Sequence, residues 1–270
     1  MISARLDALL VTALIAFILE AFHRPLFGKP RIKPPRPPHP VLALALLFGA
    51  MTMQFIGAAE YAPLGAGSPW ALPMVIVGGI ILTLFTLKTD IHVPSSRRHF
   101  IGTMIAAALL FFGGLRIPFL AIPGIGLQTL GASTGFFLTL LFVFLFVSMI
   151  EICASIPVLA SLTAVAVGAM VFVPAGANQT FPGQVLCGSL IGAVLGRLLA
   201  TLATGRERHT DKTEVLMLGY FGAAAALATF IKSFATAGFI LPLGVATVTF
   251  ITLAILSFER TTILRANPRA

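Results

Sequence analysis

Runs of about twenty apolar residues recur along the chain, parted only by short polar segments. A helix of that length crosses the hydrocarbon core of a bilayer. A chain made largely of such runs has little left with which to face water. Of its 270 residues, 58% are hydrophobic and only 10% are charged. A soluble domain carries about a quarter charged residues, so this class is excluded. The expected fold is all-α: a polytopic membrane bundle of about nine helices, forming a single transmembrane domain over residues 1–270.

The spans read as Leu6–Phe22, Val41–Ala59, Ala71–Leu87, Phe100–Ile122, Thr134–Ile150, Ile152–Val173, Gly183–Ala203, Val215–Ile231 and Ala237–Phe258. The first lacks a small-residue cleavage site and runs into a basic, proline-rich stretch, which makes it an anchor and not a removable signal peptide. The fifth and sixth are nearly continuous, broken around Glu151–Pro157.

The net charge of +9 is dealt out in clusters between the apolar runs, and not on one face as in a nucleic-acid binder. Fourteen of the eighteen Lys and Arg fall after the first, third, seventh and ninth spans. The other four are Arg5, Arg116, Arg197 and Lys232. The positive-inside rule assigns the richer side to the cytoplasm, placing the N-terminus outside and the C-terminus inside. Trp70 and Tyr61 sit where an interfacial aromatic belt would lie. Cys153 and Cys187 both lie in apolar stretches and read as small core residues, with neither a disulfide framework nor a zinc site indicated.

Ionisable residues at membrane depth are candidates for function. Arg197 lies nearly two turns inside the seventh span, so it needs either a partner such as Glu151 or a reach to phosphate headgroups. Glu151 stands at a turn between spans with no basic residue near it in sequence, and both a structural pairing and a ligand-facing role fit it. The loop His23–Pro40 combines five basic residues with seven prolines. Proline stiffens it into extended segments whose charges suit anionic headgroups or a phosphate-bearing ligand. A purely topological role for this loop fits equally well.

Several segments also line up, in order, with motifs of a known family. Lys33-Pro34-Pro35-Arg36 lies in the first cytoplasmic loop, Thr89-Asp90-Ile91 follows the third span, with Ser95 and Arg97 downstream, and Phe112-Gly113-Gly114-Leu115-Arg116-Ile117 follows the fourth. Ser148, Glu151, Ala154 and Pro157 mark the fifth-to-sixth junction. Gly219-Tyr220-Phe221-Gly222-Ala223 and Phe258-Glu259-Arg260 complete the series. Together they resemble the polyprenyl-phosphate N-acetylhexosamine-1-phosphate transferase family over nearly the whole chain. That resemblance implies a multi-helix fold working at the cytoplasmic face on a nucleotide sugar with Mg²⁺.

The family's acids are largely replaced here. Its aspartate pair is reduced to Asp90, and its asparagine-and-aspartate run is matched by Ser148, Glu151, Ala154 and Pro157. The aspartate of its Gly-Asp-x-Gly-Ser motif is Tyr220. Mg²⁺ takes near-octahedral oxygen ligands, usually with one or two carboxylates among them. The expectation is therefore a degenerate, non-catalytic relative, a scaffold or subunit of a membrane assembly in the bacterial inner membrane. Lys33, Arg36, Asp90, Arg97, Glu151 and Arg197 are the candidate residues for a phosphate or lipid ligand. Membrane lipid and other membrane subunits are the expected partners, with no nucleic acid and no cofactor. The rival is a divergent transferase that holds Mg²⁺ with Asp90, Glu151 and Glu259. A transporter is disfavoured by the scarcity of ionisable groups within the spans.

Overall fold

The computed structural model describes residues 3–27, 41–60, 68–87, 96–122, 126–153, 181–204 and 212–233. Among these lie seven helices and one small hairpin. The helices are α1 (Ser3–Phe27), α2 (Val41–Glu60), α3 (Ala71–Leu87), α4 (Ser96–Phe112), α5 (Ala132–Cys153), α6 (Phe181–Thr204) and α7 (Lys212–Ser233). Strands β1 (Phe119–Ile122) and β2 (Gly126–Thr129) join α4 to α5. The expected sixth and ninth spans fall outside the described residues, apart from Ile152 and Cys153, which end α5.

Helix α7 is the centre of the bundle. Every side chain from Thr213 to Thr229 is buried, and α7 packs against α2, α3, α5 and α6. Its sequence allows this, because Gly219, Gly222 and the run Ala223–Ala226 keep it slim enough to be surrounded. A helix that is apolar on every face belongs inside, and this one is.

The closest pairing joins α1 to α6 through small residues. Gly188, Gly192 and Gly196 are spaced by four and form one stripe on α6. A methyl group added at any of them would collide with the α1 backbone, at Arg5, Leu9 and Ala13 respectively. The contacts advance together along both chains, so the two helices run parallel. On α1 the facing residues Ala4, Ala8, Thr12 and Ala16 are buried, and the Thr12 hydroxyl donates to Ser189 Oγ at 3.2 Å. Small residues at this spacing let backbones approach until dispersion and a few polar contacts hold them.

The fourth expected span, Phe100–Ile122, is divided in the structure. Helix α4 stops at Phe112, and Phe119–Ile122 is a strand. Gly114 adopts a left-handed φ of 91°, its N–H bonds Phe111 O at 3.0 Å, and Leu115 N–H bonds Leu110 O at 2.9 Å. This is a Schellman termination, closed by the buried side chains of Leu110 and Leu115. The chain continues extended. Ile117 N–H donates to Thr139 Oγ1 at 3.2 Å, and the absent side chain of Gly135 leaves room for the Ile117 carbonyl. The strands then pair antiparallel from Phe119 with Thr129 to Ile122 with Gly126.

Two segments, Ala132–Glu151 in α5 and Phe181–Ala203 in α6, are long and apolar enough to cross a membrane. The apolar stretches of α2, α3, α4 and α7 are shorter.

Candidate functional site

The starts of two helices and the last third of another meet around one carboxylate. Glu214 is the third residue of α7, where an acidic side chain complements the positive end of the helix dipole. Its Oε2 lies 2.9 Å from Nη1 of Arg197 on α6, and its Oε1 accepts the Leu42 N–H at 3.2 Å. Leu42 is the second residue of α2, and its N–H belongs to the first turn, which has no acceptor within the helix. The carboxylate thus neutralises a guanidinium and supplies the missing acceptor of a neighbouring helix. The pair is deeply set, with side-chain exposures of 12% for Arg197 and 1% for Glu214. Burying two charges is costly unless their geometry and hydrogen bonds are good, and here one oxygen serves each donor. With each oxygen accepting an N–H donor, the arrangement pins α2, α6 and α7 together.

A second feature sits along α7. The Tyr220 side chain is fully buried, and its hydroxyl donates to the Val75 carbonyl of α3 at 3.3 Å. It lies over Gly78, where any Cβ would strike its oxygen. The adjacent Gly219 rests on Val147 of α5. The position that the transferase resemblance gives to an aspartate is therefore a tyrosine wedged between two helices, with a glycine opposite making room for it.

The sequence-derived candidates are placed as follows. Lys33, Arg36 and Asp90 lie outside the described residues, as does Glu259. Arg97 falls in the first turn of α4, and its side chain is not among those described. Glu151 is half-buried in the last turn of α5, which ends at Cys153; the rest of the expected break, residues 154–157, lies outside the described residues. Arg197 has a carboxylate partner, as its depth demanded, in Glu214. Sequence reasoning missed Glu214. The available signal was an acid in the first helical turn, three residues after Asp211 in a capping-box pattern and directly after a basic loop. It also missed the stripe Gly188, Gly192 and Gly196, legible as two overlapping small-xxx-small repeats. Cys187 is buried in the core, as read. Among the described residues, no three His, Cys, Asp or Glu side chains stand together where they could hold a metal ion.

The sequence matches no protein-family model and no curated protein.

Proposed function

We propose that the chain is a polytopic integral membrane protein of about nine helices, with its N-terminus outside the cytoplasm, acting as a non-catalytic scaffold or subunit of a membrane assembly. The observation that carries the membrane reading is the inverted packing of α1. Its inward face is Ala4, Ala8, Thr12 and Ala16, while its outward face is Leu6, Leu10, Leu14 and Ile18, with Leu10 64% and Leu14 59% exposed. Water would favour the reverse, since large apolar side chains gain most from burial. Lipid makes no such distinction, and packing between helices then selects small residues.

The topology has its own support. The Glu214 contacts bring together the start of α2, the start of α7 and the last third of α6. Because α1 runs parallel to α6, its end lies at that same pole. The basic segments 28–40 and 205–211 are therefore attached at one end of the bundle, as the positive-inside assignment requires.

The scaffold reading follows from what has become of the acids. Tyr220 fills a helix interface where the resembled family has an aspartate, and Glu214 is spent on structure. Lys33, Arg36, Asp90 and Arg97 would then form a surface for a polyprenyl phosphate or another anionic lipid. Two experiments test this. In a chain freed of its own cysteines, single cysteines at Gly65 and Gln179 should react with an impermeant maleimide in intact cells. Cysteines at Ser95 and Thr210 should react only after permeabilisation; the opposite pattern would overturn the orientation. Purified protein given UDP-N-acetylhexosamine, polyprenyl phosphate and Mg²⁺ should release no nucleoside monophosphate. Release would establish the divergent transferase, with Asp90 and Glu151 as its first candidate ligands.

A further inference from the structure

We propose that the side of the bundle formed by α3 and α4 is matched to a thin bilayer and preferentially gathers phospholipids with short acyl chains. This rests on the membrane reading above and adds a lipid specificity to it. The apolar stretch of α4 is His99–Phe112, a rise of roughly 21 Å at 1.5 Å per residue. Both of its limits are set chemically. Arg97 and Arg98 precede it, and the chain leaves helical geometry at Gly113 and Gly114. Gly114 and Arg116 are exposed while Leu115 and Ile117 turn inward. Non-helical backbone cannot face hydrocarbon, so this exposed turn must lie at the headgroup level, with Arg116 among the phosphates.

The neighbouring α3 is only 17 residues long, about 25 Å, between Trp70 and Lys88. By contrast the apolar segments Ala132–Glu151 of α5 and Phe181–Ala203 of α6 have 20 and 23 residues, a rise of roughly 30 Å or more each. A typical hydrocarbon core is about 30 Å thick, so α3 and α4 fall short of it while α5 and α6 span it. Between the two limits the outward surface consists of Val77, Ile80 and Leu84 on α3 and Ile101, Ile105 and Phe112 on α4, all exposed. Acyl chains are the occupant this surface fits, and a short apolar stretch draws in thinner lipid or thins what surrounds it.

The single tryptophan is a built-in probe. Trp70 is exposed at the start of α3, next to Ser68, which packs on Gly114. The full chain would be reconstituted in phosphatidylcholines with monounsaturated chains of fourteen to twenty-two carbons. Competition against a brominated phosphatidylcholine that quenches Trp70 gives the relative affinity for each. Affinity should be highest at fourteen and sixteen carbons and fall about threefold by twenty-two. The Arg116→Leu variant should move the optimum toward longer chains. Quenching with a flat profile, or an optimum at twenty carbons or beyond, overturns the inference while leaving the membrane reading intact. So does an inserted chain whose Trp70 no brominated lipid reaches, because a second copy then covers that face. If the chain is removed from the vesicles by alkaline carbonate, the membrane reading itself fails.

Discussion

At the scale of single residues, the Arg197–Glu214 pair decides how the helix ends are held. Removing one member of a buried pair strands the other charge, which costs about 3–5 kcal/mol. Arg197→Met should therefore lower the thermal midpoint in detergent sharply, since the buried Glu214 would lose its guanidinium partner. The double variant Arg197→Met, Glu214→Leu should recover much of that loss, leaving mainly the unpaired Leu42 N–H. A single variant that melts with the native protein would show that the ion pair does not hold α2, α6 and α7 together. The sequence made half of this site legible. An arginine nearly two turns inside an apolar helix needs a partner, and it has one. Which acid serves depends on which helix ends meet in space, and nothing within seventeen residues of chain announces that Leu42 will also join.

At the scale of elements, apolar length located the helices well. Val41–Ala59 corresponds to α2 at Val41–Glu60, and Ala71–Leu87 coincides with α3. It failed at Phe100–Ile122, where hydropathy continues but the backbone does not. The decisive terms there were the left-handed Gly114 and the extended segment before Pro118, which a hydropathy window cannot weigh. Gly114→Ala should cost roughly 1–2 kcal/mol, because a Cβ is strained at that φ. The α1–α6 contact offers a sharper test. Gly192→Leu places a side chain into the Leu9 backbone and should destabilise by about 1–3 kcal/mol or separate the helices. Gly131→Ala, where an added methyl meets nothing, should leave the melting curve unchanged. Cysteines introduced at Thr12 and Ser189, whose hydroxyls lie 3.2 Å apart, should cross-link in the native chain and lose that cross-link in Gly192→Leu.

At the scale of the whole molecule, the question is which solvent surrounds the bundle, and the outward face of α5 can answer it. Leu141 and Leu145 point away from the core, 51% and 57% exposed, near the middle of a 22-residue helix. In water, replacing such a leucine with lysine is close to neutral, since surface substitutions away from special features stay within about 0.5 kcal/mol. At the centre of a bilayer a lysine costs roughly 2.5–3.5 kcal/mol, and snorkelling from the midpoint relieves only part of it. Leu141→Lys should therefore reduce the membrane-inserted fraction severalfold, measured as carbonate-resistant protein against total protein. Leu141→Phe, which keeps the surface apolar, should not. The position of the charge matters as much as its presence. A lysine at Ser133, one residue into α5 and exposed, should be tolerated because it sits at the interface. A depth-dependent penalty of this kind has no counterpart in aqueous solvent, so equal tolerance at Leu141 and Ser133 would contradict a lipid surround for this helix.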